Sequence, residues 1–144
     1  MTARAVLDAS AAVHLVMKGE HAASLATKLE DVAVVTTPDL FCSESANSLW
    51  KYVRAGTLDL DVAITRFEQA MGLTDGLVPE RALAPEALVA AAKHKRSVYD
   101  MMYAVLARRS GAIVITMDRG FGLILREMDI ECFCPLIEGM TQSE

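Results

Sequence analysis

No stretch of this 144-residue chain stays apolar long enough to cross a bilayer. The longest segment free of Asp, Glu, Lys and Arg is the nine residues Ala9 to Met17, against the roughly 20 that a spanning helix needs. The amino terminus shows no basic segment followed by an apolar one, so neither a secretory leader nor membrane association is expected and the chain reads as cytoplasmic. Cysteine is scarce: Cys42, Cys132 and Cys134 form an odd set without a Cys-x-x-Cys pair. That argues against a disulfide framework and for reduced thiols in or near the core. His14, His21 and His94 stand far apart, without the His-Glu-x-x-His spacing that zinc or histidine-base chemistry would call for, and no Gly-x-Ser-x-Gly surrounds Ser10. A basic excess is missing too. With 14 Lys and Arg against 19 Asp and Glu, the formal charge is −5, the wrong sign for a protein whose whole surface grips nucleic acid.

What the chain does have is apolar content arranged in alternating strand-like and helix-like segments. Its length fits one domain over residues 1–144. The 53% hydrophobic fraction favours strands covered on both faces, which read as continuous apolar runs. Ala5 to Leu7 form such a run, ending at Asp8 and followed by a helical segment that Gly19 interrupts. Ala22, Leu25, Ala26 and Leu29 give Glu20 to Glu30 an amphipathic helical face. Val32 to Thr36 reads as a second strand. Thr37-Pro38 then reads as a helix entry, Thr as N-cap and Pro at the first helical position, with the helix running to Ala55 before Gly56. Asp59 to Met71 is a further amphipathic helix, Leu77 to Pro79 a short strand, and Pro85 the start of a helix that ends near Lys93 to Arg96.

Ser97 to Phe121 carries most of the chemistry. An alanine- and methionine-rich helix bearing Asp100 is closed by Gly111 with Arg108 and Arg109 in its last turn. The apolar run Ala112 to Thr116 follows as a buried strand, and Asp118 comes just beyond it. A helix over Gly120 to Glu127, a last strand over Ile130 to Cys134 and a frayed end at Thr141 to Glu144 complete the pattern. Strands alternating with helices predict an α/β domain with a mostly parallel sheet, in which ligands bind beyond the carboxyl ends of the strands where strand order reverses. Asp8 and Asp118 both occupy strand ends. If those strands are neighbours, the two acids face each other, and Glu44 and Asp100 on helices complete a ring.

Each acid also has an ordinary reading. Asp118 can cap the helix after it, Asp100 can favour its own helix's positive end, and Glu44 can be a solvated helix residue. Asp8, after a buried strand, needs a partner or water. Taken together the four point to cation chemistry. Hard divalent ions prefer carboxylate oxygens, and a pair of carboxylates ~4 Å apart at an effective dielectric of 20 repels by about 4 kcal/mol unless a proton or cation intervenes. Lys51, Arg54, Lys93, Lys95, Arg96, Arg108, Arg109 and Arg119 are candidates for a phosphate path, Arg119 being the one closest in sequence to an acid. Trp50, Tyr52, Tyr99 and Tyr103 are candidates for base stacking, with Trp50 also suited to the core or a dimer interface.

The strings VLDAS at Val6 to Ser10, SESANSLWKYVRAG at Ser43 to Gly56, VYDMMYAVLARRSG at Val98 to Gly111 and TMDRGF at Thr116 to Phe121 resemble the PIN-domain ribonucleases, particularly the prokaryotic VapC-like toxins. The likeness spans nearly the whole chain in order. It implies a PIN-like α/β fold with a central parallel five-stranded sheet flanked by helices, Mg²⁺- or Mn²⁺-dependent RNA cleavage, a homodimer, and a small antitoxin partner. Matched motif by motif, Asp8, Glu44, Asp100 and Asp118 take the four acidic positions and are the expected catalytic and metal-ligating residues. Asp8 and Asp118 are the first-choice ligands, with Glu44 and Asp100 as further or water-mediated ligands, one of them orienting the attacking water. Ser10 and Thr116 match supporting hydroxyl positions, Asn47 the polar residue one turn after the helix acid, and Arg119 is placed near the site. Two other functions remain open at this stage. One is a non-catalytic scaffold of the same fold. The other is a receiver-like phosphoacceptor domain, against which stands the absence of a lysine after Ile113 to Thr116.

Overall fold

The computed structural model describes residues 3–137. Five strands form one all-parallel sheet in the order β3-β2-β1-β4-β5. They are β1 (Arg4–Leu7), β2 (Val34–Pro38), β3 (Gly76–Val78), β4 (Ile113–Ile115) and β5 (Cys132–Phe133). The flanking helices are α1 (Ala9–Val16), α2 (Ala22–Glu30), α3 (Leu40–Arg54), α4 (Leu60–Met71), α5 (Glu80–His94), α6 (Val98–Ser110) and α7 (Arg119–Glu127). β1 is central because its side chains can be covered on both sides: Ala5, Val6 and Leu7 are at most 1% exposed. The chain first adds β2 and β3 on one side of β1, then returns to add β4 and β5 on the other. The order therefore reverses between β1 and β4, where a parallel sheet opens its ligand crevice.

The helix carrying Asp100 is the most deeply packed. Every residue of α6 from Met101 to Ala107 is buried, against β1, β2 and β4. A helix apolar all round belongs in a core, which accounts for the alanines and methionines. Ser97 caps it by accepting from Asp100 N at 3.2 Å, and Gly111 closes it in the left-handed conformation, φ 63. α5 lies along α6. Arg108 and Arg109 from the last turn of α6 reach Glu86 at 3.6 and 3.5 Å. These two cations thus brace the helix pair.

Two proline expectations are corrected. Thr37 and Pro38 do not open a helix but end β2, paired with Leu77 and Val78. β1 pairs no further than Thr36, so the N–H that Pro38 lacks has no ladder partner to leave unsatisfied. Asp39 stands at the N-cap instead; its N–H donates to Val78 O at 2.8 Å, and its Oδ1 accepts from Glu80 N at 3.0 Å. Pro85 lies inside α5 and does not start it, because the end of β3 and the Asp39–Glu80 link set the helix start at Glu80. Cys42 is exposed rather than near-core, whereas Cys134 is buried; none of the three cysteines forms a disulfide. Trp50 is 50% exposed beside Arg54, so it does not enter the core. The expected fray at Thr141 to Glu144 lies outside the described residues. Among those residues, no helix is long and apolar enough to cross a membrane.

Candidate active site

Because β1 and β4 are neighbours, Asp8 and Asp118 leave the sheet side by side. α3 and α6 supply Glu44 and Asp100 from above the same strand ends. All four acids line one cleft of about 230 Å³, together with Ala9, Ser10, Asn47, Ser48 and Lys51. Glu44, Asn47, Ser48 and Lys51 recur at the three- and four-residue spacing of one helical face.

Asp8 is 7% exposed and is held by hydroxyls. Ser10 Oγ donates to its Oδ2 at 2.8 Å and Thr116 Oγ1 to the same oxygen at 2.6 Å. Both hydroxyls are in turn fixed by main-chain donors, Met117 N to Ser10 Oγ and Asp118 N to Thr116 Oγ1, each at 3.0 Å. This relay from backbone to hydroxyl to carboxylate sets the side chain's angle and spares Asp8 an unpaired burial. It does not make Asp8 an ordinary acid. Burial pushes its carboxyl up from 3.8 to about 6, the two hydroxyls pull the other way, and the charges of Asp100 and Asp118 add to the rise.

Glu44 is anchored from below. Tyr103, fully buried on α6, donates its hydroxyl to Glu44 Oε1 at 2.7 Å. Burial again dominates and pushes Glu44 up from 4.5 to about 7; the Tyr103 bond opposes this, and Asp8, Asp100 and Glu80 reinforce it. Tyr103 is therefore no stacking platform for bases. Its own proton is held tightly, by burial and by the acids around it.

Asp100 and Asp118 share a cation from within the chain. Arg96 Nε donates to Asp100 Oδ2 at 2.7 Å and its Nη2 to Asp118 Oδ2 at 3.0 Å. Asp118 also caps α7, its Oδ1 accepting from Phe121 N at 3.0 Å. The ordinary reading of this acid holds alongside its place in the cleft. Arg119 is exposed at the first position of α7, and Arg96 is seated between two of the acids. Sequence reasoning counted Arg96 among the candidates for a phosphate path and not as a partner of the acids. Its placement four residues before Asp100 was the available signal. Among the described residues, no three carboxylate, imidazole or thiol groups already stand in ligating positions around one point.

The donor set nonetheless fits a hard divalent cation. Four carboxylates meet in one cleft, two of them are pushed upward in part by their neighbours' charge, and the other two have drawn in a guanidinium. Oxygen-only acidic sites of this kind suit Mg²⁺ or Mn²⁺.

The PIN domain family model matches residues 5–124. Ribonuclease VapC3 of Pyrobaculum aerophilum is 32% identical over 116 residues, which cover 79% of this chain and 88% of that protein. Among solved structures, PAE2754 from Pyrobaculum aerophilum has a TM-score of 0.66 at 26% identity, covering 85% of this chain and 86% of its own. FitAcB from Neisseria gonorrhoeae, at 18% identity, shares the fold with a TM-score of 0.62 over 92% of this chain and 98% of its own. The strand order, the family match over most of the chain and the likeness to a VapC ribonuclease place this chain in the PIN-domain family, among the relatives of the VapC ribonuclease toxins.

Proposed function

We propose that the chain is a Mg²⁺- or Mn²⁺-dependent endoribonuclease and the toxin of a toxin–antitoxin pair, with Asp8, Glu44, Asp100 and Asp118 as its catalytic acids. The observation that carries this reading is the meeting of four acids from distant parts of the chain at the β1/β4 switch point. Asp8, Asp118, Asp100 and Glu44 would hold the ion. A divalent cation bound there supplies charge neutralisation at the phosphoryl oxygens and acidifies the attacking water.

The chain's own residues do the rest. Ser10 and Thr116 keep Asp8 aimed by occupying one of its oxygens. Tyr103 does the same for Glu44. Glu44, fixed at one oxygen by Tyr103 and lining the cleft, is placed to orient the attacking water. Asn47, Ser48 and Lys51, on the Glu44 face of α3, offer hydrogen bonds and charge to phosphate oxygens. A second cleft shares Ser10, Ser48 and Lys51 with the acidic one and continues past Tyr52, His14 and Thr57, so RNA entering the site has a continuous groove to follow, with Lys51 at the junction. An apolar groove between α3 and α4, walled by Trp50, Leu60, Ile64 and Phe67, offers footing to a protein partner, in keeping with an antitoxin and a homodimer.

The test is cleavage of structured and unstructured RNAs by the purified chain with Mg²⁺ or Mn²⁺. Asp8→Asn is expected to lower the rate by about 100-fold or more. Cleavage by the variant at the wild-type rate would overturn the assignment. No cleavage by the wild type would leave a scaffold that keeps the fold without the chemistry.

A further inference from the structure

We propose that Arg96 is a built-in counter-cation of the acidic cleft, holding Asp100 and Asp118 together in the place of a divalent ion and competing with that ion for them. The proposal rests on reading the four acids as cation ligands.

Arg96 spans two elements. Its Nε and Nη2 engage carboxylates from α6 and from the end of β4, at 2.7 and 3.0 Å, and its side chain is only 27% exposed. A solvated surface arginine would not be fixed by two separate acids. The backbone aims it there. Lys95 ends α5 in the left-handed conformation, φ 55, and Ser97 caps α6, so Arg96 leaves the chain between two constrained neighbours.

The opposite wall leaves room for it. At Gly120, on the first turn of α7, an added Cβ would lie 2.9 Å from Arg96 Nη1. A side chain at that position would have to move the guanidinium. The lack of a side chain at Gly120 and the fork of Arg96 are thus complementary.

A guanidinium keeps its charge at every working pH and matches carboxylates with two directed donors. It cannot leave Asp100 and Asp118 by losing a proton, as a lysine or histidine could. A divalent ion that uses these two acids must displace it, giving up two charge-assisted hydrogen bonds in the process. The cleft is thereby relieved of part of its mutual repulsion without metal, and its affinity for metal is held below what four carboxylates alone would give.

Isothermal titration of the full chain with Mn²⁺, without RNA, tests this. Arg96→Gln removes the competitor, and its Kd for Mn²⁺ is expected to fall by about tenfold or more relative to wild type. Gly120→Ala keeps the arginine but crowds its far end, with a helical backbone that accepts alanine, and is expected to tighten Mn²⁺ binding in the same direction. Arg96→Lys, charged but unable to fork, should fall between wild type and Arg96→Gln. Arg96→Gln binding Mn²⁺ equally or more weakly than wild type overturns the proposal and leaves the metal reading standing. Absence of Mn²⁺ binding by wild type and all three variants overturns the reading of the acids as ligands, and the proposal with it.

Discussion

Asp8 shows what the cleft costs at the level of a single residue. Its carboxyl sits at about 6 in the folded chain against 3.8 ordinarily. The folded state therefore binds this proton more tightly than the unfolded state does. Stability from this group is fully present below about pH 4 and is lost as pH rises through about 6. The displacement corresponds to about 3 kcal/mol. Glu44, raised to about 7, acts in the same direction. In EDTA, the urea midpoint of the wild type should thus fall between pH 5 and pH 8. Asp8→Asn should flatten that fall, and Mn²⁺ at pH 8 should restore the wild type. A wild-type profile that is level, or that rises with pH, would contradict the burial argument for Asp8.

Among the elements, those with a continuous apolar run or a clear cap were legible in the sequence. The helix from Val98 to Ser110 ends at the glycine stop that its flank announced, and the strand after it falls within Ala112 to Thr116. The prolines misled. A proline at position N1 and a proline at the end of a strand have the same local sequence; which one Pro38 becomes depends on whether β3 is there to pair with. Pro85 read as the first position of a helix, yet α5 begins earlier and passes through it because packing along α6 outweighs the lost hydrogen bond. That bond is missing in the second turn, on an exposed position. Pro85→Ala should therefore raise stability by between about 1 and 3 kcal/mol, read as a higher urea midpoint with unchanged slope. A lower midpoint would show that the proline's fixed φ contributes more than the restored N–H.

The whole molecule carries a net charge of −5, so any attraction for RNA has to be local. Lys51 is the one lysine lining both the acidic cleft and its continuation. If it contacts a phosphate, Lys51→Ala should weaken RNA binding for every sequence tested. It should also reduce the slope of log K against log salt by about 0.7. An unchanged slope would place the RNA path elsewhere. Inactive Asp8→Asn protein is the background in which to measure it, since the substrate then survives.

Asp8, Glu44, Asp100 and Asp118 could be singled out from the sequence because each stands where local rules place no apolar residue: after a buried strand, on a helix face beside an amide, at a helix start, or beyond a second strand. Their common cleft follows from strand order, which no local pattern encodes; β4 has to return past β2 and β3 to lie beside β1. The partners of the acids were less legible still. Tyr103 read as a candidate for base stacking and Arg96 as one for a phosphate path, and the tertiary structure turned one into the buried donor to Glu44 and the other into the clamp on Asp100 and Asp118. Local sequence determined the strands, most helices and the carboxylates, because backbone preference and burial act over a few residues. Only the tertiary structure decided which charges meet, because that depends on contacts between residues up to 108 positions apart.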